Sequence, residues 1–129
     1  MTDQTLQEAL RALIQAGTLP EAEVIVRYQG LKRGTAVKPL GGIYTFYSAH
    51  REALYVGISN NVAKRLEQHF TGKGNQDIHR YLKTGRDGYI EVFYEADRGF
   101  QELYENYLII ALKPRYNVAK TGRVRYEGK

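Results

Sequence analysis

The 129-residue sequence contains no cysteine and no tryptophan. Without thiols, neither a disulfide framework nor a thiolate zinc site can form. Three histidines are present, at positions 50, 69 and 79, and their wide separation argues against a zinc site built from imidazoles. Any bound metal ion is therefore expected to be held by oxygen ligands.

Long apolar runs are missing as well. No segment approaches the roughly 20 apolar residues that cross a bilayer, and the start Met1-Thr2-Asp3-Gln4 lacks the basic and apolar regions of a secretory signal. We therefore expect no membrane association and a cytoplasmic location. Hydrophobic residues make up 43% of the chain and charged residues 26%, which is ordinary for a globular protein with one core.

The charge balance is positive, with a formal net charge of +5 and a pI of about 9.4. A basic surface attracts anionic partners, above all the phosphate backbone of nucleic acids. The aromatic balance is skewed toward tyrosine, with 11 tyrosines against 4 phenylalanines. Most of these rings are expected to pack with their hydroxyls at the surface, while a few suit stacking on bases or hydrogen bonding to phosphate.

Residues 1–38 are expected to form an N-terminal extension. Apolar residues recur at helical spacing between Thr5 and Ala16, and Gly17 stands where a helix ends. This amphipathic helix either packs on the protein's own core, or it docks a partner or makes a dimer, which would make the chain an interaction module. The run Val24-Ile25-Val26 predicts a short strand or an extended arm.

The rest of the chain alternates between strand and helix patterns. Branched and aromatic residues predict strands over 42–47, 53–58 and 89–94, the first two forming a hairpin. Helices are predicted over 61–70, capped by Ser59 or Asn60, over 76–83, and over 100–112, where Pro114 follows. Four residues of the last helix are expected to face the core: Leu103, Tyr107, Ile110 and Ala111.

Three polar residues on these helices are candidates for chemistry. Arg65 and His69 lie four residues apart on one helix, so they share a face and either meet one phosphate together or form an ordinary surface pair. Glu105 lies in an otherwise apolar helix, and its carboxylate is either solvated or holds a cation.

The ordered set of motifs resembles the GIY-YIG nuclease superfamily over about residues 39 to 120. It comprises Gly42-Ile43-Tyr44, Tyr55-Val56-Gly57, Arg65, His69, Glu105 and the run Leu112-Lys113-Pro114-Arg115-Tyr116-Asn117. The last run is similar to the N-terminal nuclease module of the bacterial excision-repair endonuclease, while the Arg65 and His69 combination is similar to the homing and restriction branches. The resemblance implies an α+β nuclease domain over residues 39–129 with a basic C-terminal tail. Its sheet would be small, antiparallel and three-stranded, flanked by helices.

The resemblance also implies a metal site. Glu105 matches the family's catalytic glutamate and would hold one Mg²⁺ or Mn²⁺, leaving most coordination positions to water and substrate phosphate. Glu102, three residues earlier on the same helix, is the reserve ligand.

Three further side chains match catalytic positions of the family, and His69 is a candidate to assist one of them. Tyr44 matches a tyrosine that deprotonates or orients the attacking water, and Tyr55 matches one that binds phosphate or water. Arg65 matches the arginine that clamps the scissile phosphate. Because an unperturbed tyrosine titrates near pH 10, a proton relay through His69 is an alternative, and the general base remains open between Tyr44 and His69.

The remaining matches are structural. Gly42 and Gly57 would leave room for close backbone approach, and Asn117 would tie the chain end to the core. The excision-repair module carries a lysine soon after the second motif, where this chain has Ile58 and Ser59. That role is therefore vacant or passes to Lys64 or His69.

The sequence therefore predicts a divalent-metal-dependent endonuclease that cuts DNA. Because the flanking segments are short, we expect it to select strand state or structure more than base sequence. The alternative is a noncatalytic nucleic-acid-binding domain that keeps the nuclease frame. The sequence leaves open DNA against RNA, repair against recombination or other pathways, and the oligomeric state, a monomer included. Six basic residues are candidate DNA contacts: Lys64, Lys73, Lys113, Arg115, Lys120 and Arg123.

Overall fold

A computed structural model describes residues 22–32 and 37–117, together with Glu8, Ala12 and Gln15, which are helical and exposed. The apolar face predicted for the N-terminal helix lies outside these residues. Four strands and four helices follow in the described ranges: β1 (Val24–Arg27), α1 (Tyr28–Lys32), β2 (Gly42–Ser48), β3 (Ala53–Ser59), α2 (Val62–Thr71), α3 (Gln76–Lys83), β4 (Gly88–Tyr94) and α4 (Arg98–Leu112).

The strands form one antiparallel sheet in the order β1-β4-β2-β3. The expectation of three strands is wrong, because β1 pairs with β4 along its whole length, Val24 opposite Val92 and Arg27 opposite Tyr89. The physical reason is that β4 would otherwise present an open edge of unpaired backbone groups. The alternation of β1 turns Val24 and Val26 toward the core, where both are half-buried.

The hairpin between β2 and β3 is closed by local hydrogen bonds around Ser48. The Ser48 hydroxyl accepts the backbone N–H groups of His50 (3.2 Å) and Glu52 (3.1 Å). Arg51 adopts a left-handed conformation (φ 67°), and the register of the two strands shifts between Phe46 and Tyr47. The hairpin brings the two tyrosine-glycine motifs side by side, with Tyr44 opposite Gly57.

The two faces of the sheet are covered by different helices. The first face carries the larger core cluster, which includes Tyr44, Phe46 and Ile90 and receives α1, α2 and α3. The second face carries a smaller cluster around Ile43, Val56 and Phe93, which packs against α4. Residues of β2 alternate between the two clusters, as the twofold period of a strand requires.

Helix boundaries follow the caps. Helix α2 begins after Asn61, whose side-chain oxygen accepts the N–H of Lys64 at 3.0 Å, so the predicted cap at Ser59 or Asn60 is wrong. The Ser59 hydroxyl instead accepts the N–H of Asn61 at 3.0 Å. Helix α3 has the predicted limits and is capped by Asn75.

Helix α4 begins two residues earlier than predicted because Asp97 caps it through the N–H of Phe100 at 2.9 Å. The predicted inner face is partly wrong, since Ala111 is exposed, and Leu103, Tyr107 and Ile110 are half-buried. The buried residues of this helix are Gln101, Tyr104, Glu105 and Ile109. In the described part of the chain, no helix combines the length and the apolar character needed to cross a membrane.

Candidate active site

Tyr44 lies on β2 with 1% of its surface exposed, and its phenol ring lies over Gly57 of the neighbouring strand. A Cβ atom at position 57 would lie 2.3 Å from Tyr44 Oη, a distance that no real contact tolerates. The absence of a side chain at Gly57 therefore leaves the space that the Tyr44 ring occupies. This explains physically why a tyrosine on one strand is paired with a glycine on the next.

His69 lies in the last turn of α2 and is fully buried. Its Nε2 atom is 2.8 Å from Tyr44 Oη, and its Nδ1 atom accepts the backbone N–H of Asn75 at 3.0 Å. The imidazole ring centroid is 5.5 Å from each of the rings of Tyr44, Phe46 and Tyr55. Both ring nitrogens are therefore engaged inside an aromatic enclosure, and the surface-pair alternative is excluded for His69.

The segment 72–75, between α2 and α3, closes this enclosure. Gly72 ends α2 in the left-handed conformation (φ 89°), and the N–H groups of Lys73 and Gly74 both donate to the Gln68 carbonyl. A Cβ atom on Gly74 would lie 2.4 Å from His69 Nδ1. The sequence analysis missed Gly74 and Asn75 as site residues, because glycine and asparagine after a helix ordinarily indicate only a turn.

Tyr55 and Arg65 are both half-buried beside the Tyr44 and His69 pair. The ring of Tyr55 is 6.3 Å from that of Tyr44, and the Arg65 guanidinium donates to Gln68 Oε1 at 3.0 Å. Arg65 also lies close enough to Tyr44 for its charge and hydrogen bonding to act on the phenol. The structure thus brings four of the predicted side chains to one place on the first face of the sheet.

Burial and neighbouring charges set the protonation of the pair. Burial raises the pKa of Tyr44 well above its usual range; Tyr55 and Glu105 raise it further, and Arg65 opposes the rise. Burial, followed by the charge of Arg65, lowers the pKa of His69 to about 4. At neutral pH both Tyr44 and His69 are therefore uncharged.

Glu105 lies on the inner side of α4 and is 4% exposed, which excludes the solvated alternative. Its charge acts on Tyr44, so it approaches the same site from the helix that covers the second face. Glu102 is exposed, and its carboxylate lies 3.6 Å from the Nε atom of Arg98. Of the two carboxylates, Glu105 is thus the buried one, and its charge acts on the pKa of Tyr44.

The side chain at this site that could bind a metal ion offers oxygen atoms as ligands. Among residues 22–32 and 37–117, no group of three or more acidic, cysteine or histidine side chains forms a metal cage. Glu105 offers carboxylate oxygens, while both nitrogens of His69 already have partners. This set fits a hard cation such as Mg²⁺ or Mn²⁺ that keeps water and phosphate in its remaining positions, and it does not fit a closed zinc site.

Two of the remaining predicted residues make backbone contacts. The side chain of Asn117 accepts the N–H of Val56 at 2.8 Å and donates to its carbonyl at 2.9 Å, as a neighbouring strand would. The chain before Asn117 also pairs with β3 through Tyr116 N–H, 2.8 Å from the Leu54 carbonyl oxygen. A Cβ atom on Gly42 would lie 2.1 Å from the Phe93 carbonyl oxygen, so this glycine lets β4 approach.

The predicted DNA contacts divide into three groups. Lys64, Lys73 and Lys113 are exposed. Arg115 is engaged in a two-pronged ion pair with Glu52, with Nε 2.9 Å and a terminal nitrogen 2.5 Å from the carboxylate. Lys120 and Arg123 lie outside the described residues.

The part of the chain that carries the two tyrosines, Arg65 and Glu105 matches a known family. The model of the GIY-YIG catalytic domain matches residues 40–117. The chain belongs to the GIY-YIG catalytic domain family. The sequence resemblance is therefore confirmed.

Relatives and solved structures agree with this GIY-YIG assignment. YurQ of Bacillus subtilis, an uncharacterized protein, is 35% identical over 82 residues, covering 62% of each chain. The UvrABC system protein C of Cytophaga hutchinsonii is 37% identical over 82 residues, which cover 60% of this chain and 13% of that protein. The chain therefore spans only part of these relatives.

The fold of this GIY-YIG domain is shared with a solved nuclease domain. The N-terminal endonuclease domain of UvrC from Thermotoga maritima, bound to its catalytic magnesium, superposes with a TM-score of 0.59 at 19% identity. The superposition covers 70% of this chain and 98% of that domain. At this identity the likeness shows the fold.

Proposed function

We propose that this chain is a divalent-metal-dependent endonuclease that hydrolyses DNA phosphodiester bonds. The observation that carries the proposal is the buried Tyr44 and His69 pair, with Arg65 and Glu105 acting on the same phenol oxygen. The solved UvrC domains that share the fold are described as endonuclease domains bound to a catalytic divalent cation. A cytoplasmic location remains a prediction from the sequence.

Phosphodiester hydrolysis forms a bond from a water oxygen to phosphorus and breaks the bond from phosphorus to one sugar oxygen. In this proposal the Tyr44 oxygen would accept the proton of the attacking water while its own proton passes on to solvent, so that the phenol is restored. The leaving sugar oxygen takes up a proton from water. Because the pKa of Tyr44 is raised, the resting side chain orients the water as a neutral hydroxyl.

Arg65 and Glu105 supply the electrostatic part of the proposal. The guanidinium of Arg65 would neutralise charge that grows on the nonbridging phosphate oxygens. The carboxylate of Glu105 would hold Mg²⁺ or Mn²⁺. When bound, such an ion polarises the phosphate and stabilises the leaving alkoxide. Tyr55, half-buried beside the pair, would hold the phosphate or the attacking water.

We further propose that DNA structure governs substrate choice more than base sequence. Exposed Lys64 precedes Arg65 in the first turn of α2, and exposed Lys73 follows the C-terminal end of the same helix. Cationic and tyrosine side chains suit contacts with phosphate and sugar, which carry little sequence information. A flap, a nick or a single-stranded segment would place the backbone against such a surface.

The test uses the purified chain with single-stranded, duplex, nicked and flapped DNA in Mg²⁺ or Mn²⁺, with a chelator as the metal-free control. We expect cleavage that depends on the ion and differs among the substrates. Glu105→Gln should lower the cleavage rate by about 100-fold or more, as loss of a site for a charge-stabilising ion does. Glu102→Gln removes the same charge three residues away on the exposed side and should leave the rate unchanged.

Three results would contradict the proposal. Binding without cleavage for every substrate and ion would favour the noncatalytic DNA-binding alternative. Full activity of Glu105→Gln together with loss in Glu102→Gln would move the metal to the reserve ligand. Equal cleavage of all four substrates would contradict the proposed selection of DNA structure but would agree with the proposed nuclease activity.

A further inference from the structure

The loop before α3 determines which nitrogen of His69 carries a proton. The backbone N–H of Asn75 points at His69 Nδ1 with an N to N distance of 3.0 Å. A backbone amide nitrogen can only donate, so Nδ1 accepts and carries no hydrogen. The assignment follows from the identity of the partner.

The other ring nitrogen must then carry the proton of the neutral imidazole. Nε2 is 2.8 Å from Tyr44 Oη, a good hydrogen-bond distance. We infer that His69 is a positioning residue that donates Nε2–H to the Tyr44 oxygen, and that the Asn75 backbone sets this tautomer. This inference rests on the proposed nuclease function and resolves the choice of general base against His69.

The loop is built to keep that amide in place. The side-chain amide of Gln76 donates to the carbonyl oxygens of Gly72 (2.8 Å) and Gly74 (3.2 Å). The side chain of Asn75 caps α3 through the N–H of Ile78 at 3.0 Å. Because the loop is tied to both helices, the Asn75 N–H cannot turn away without breaking several hydrogen bonds at once.

The reverse arrangement is disfavoured by the same geometry. For His69 to remove a proton from Tyr44, Nε2 would need a free lone pair and Nδ1 would need the proton. Nδ1–H and the Asn75 N–H would then be two donors facing each other. The rings of Phe46 and Tyr55 pack against the imidazole at 5.5 Å, and a flipped ring would turn Nδ1 away from the Asn75 N–H.

The donated hydrogen bond has a defined consequence for Tyr44. It occupies one lone pair of the phenol oxygen and fixes the direction of that oxygen. The second lone pair remains available for a hydrogen of the attacking water, and the phenol retains its own proton to pass on. His69 thus aims the Tyr44 oxygen and takes no proton itself.

The tautomer is measured directly by long-range proton–nitrogen correlation spectra of the ¹⁵N-labelled full chain at neutral pH. His69→Gln identifies the signals of His69 by their loss, and His50 and His79 serve as internal references. We expect an unprotonated Nδ1 and a protonated Nε2 for His69. A proton on Nδ1, or a doubly protonated ring at neutral pH, would overturn the inference. The result does not depend on DNA cleavage, so it stands apart from the nuclease test.

A pair of substitutions separates a donor from a base. The side-chain amide of His69→Gln can still donate to Tyr44 but cannot act as a base, whereas His69→Leu can do neither. We expect His69→Gln to cleave within about tenfold of wild type and His69→Leu to fall about 100-fold or more. Equal losses in two variants that both fold by circular dichroism would show that His69 acts as a base.

Substitution of Gly74 gives an independent test of how His69 is positioned. Gly74→Ala places a methyl group where Nδ1 now accepts its hydrogen bond, and it should shift the nitrogen signals of His69 and lower cleavage about tenfold or more. Gly30→Ala is the control, because Gly30 is an exposed helical glycine whose added Cβ would meet only the Val26 side chain at 3.3 Å. Unchanged His69 signals in Gly74→Ala would contradict the role of the loop.

Discussion

Two buried tyrosines, Tyr28 and Tyr44, lie on either side of Phe46, each with its ring centroid 6.0 Å from that of the phenylalanine. Each ring also lies against a glycine of a neighbouring strand. An added Cβ at Gly88 would lie 2.3 Å from the Tyr47 carbonyl oxygen and 2.5 Å from the Tyr28 ring, and one at Gly57 would lie 2.3 Å from Tyr44 Oη. In packing terms the two tyrosines are built alike.

Their hydroxyl partners are different. Tyr28 donates to the backbone carbonyl of Tyr47 at 2.5 Å, a bond that holds α1 to β2. Tyr44 has the imidazole of His69 at 2.8 Å, and Arg65 and Glu105 act on it from two helices. Burial raises the pKa of both tyrosines, so a raised pKa alone does not distinguish them. The chemistry of the neighbours separates the structural tyrosine from the candidate catalytic one.

Arg65 is a cation that lowers the pKa of Tyr44. No cation is among the groups that shift the pKa of Tyr28. Arg65→Gln should lower single-turnover cleavage by about 100- to 1,000-fold, because a transition-state charge loses its partner. Arg80→Gln is the control, since Arg80 is exposed and paired with Asp77 on α3. Comparable losses in both variants would indicate a general charge effect on DNA binding.

His69 makes the Tyr44 environment sensitive to pH. Its pKa falls from 6.5 in the unfolded chain to about 4 on folding, so between those values the unfolded chain binds more protons. The contribution of neutral His69 to the free energy of unfolding is fully present above about pH 6.5. It is lost as the pH falls toward 4, and the total loss is about 3 kcal/mol.

Denaturant unfolding of wild type and His69→Gln across this pH range checks that sign. The free-energy difference between wild type and variant should shrink as the pH falls. His50→Gln is the matched control, because it removes an imidazole from an exposed position. A constant difference for His69→Gln would contradict burial of a neutral imidazole.

The two glycines that face a tyrosine ring should both matter for stability, but only one of them should matter for cleavage. Gly57→Ala should cost about 1–3 kcal/mol of unfolding free energy through overpacking, and Gly88→Ala at least as much, because its Cβ would also meet the Tyr47 carbonyl oxygen. Only Gly57→Ala should also lower cleavage by folded protein, because it displaces Tyr44. Thermal unfolding and single-turnover cleavage measure the two effects, and similar cleavage by both folded variants would contradict the difference.

The smallest effect is expected for the structural hydroxyl. Tyr28→Phe removes the bond to the Tyr47 carbonyl and should cost about 1 kcal/mol of unfolding free energy. Denaturant unfolding measures this loss. A cost of several kcal/mol would show that the hydroxyl does more than tie α1 to the sheet.

The sequence predicts elements whose signals are local. Helix α3 has its predicted limits, and the β2–β3 hairpin its predicted place, because turn and cap residues lie next to them. The run Val24-Ile25-Val26 indicates a short strand or an arm, but its pairing with β4 was missed because it joins residues more than sixty positions apart. Gly74 and Asn75 were missed because their effect on His69 depends on loop geometry.

The most direct measurement is the single-turnover cleavage rate of Tyr44→Phe beside that of Tyr28→Phe, on the DNA that wild type cuts best in Mg²⁺ or Mn²⁺. Each substitution deletes one hydroxyl from a similarly packed ring. The account predicts a loss of about 100-fold or more for Tyr44→Phe and a rate within about twofold of wild type for Tyr28→Phe. Equal rates for the two folded variants, or full activity of Tyr44→Phe, would contradict it.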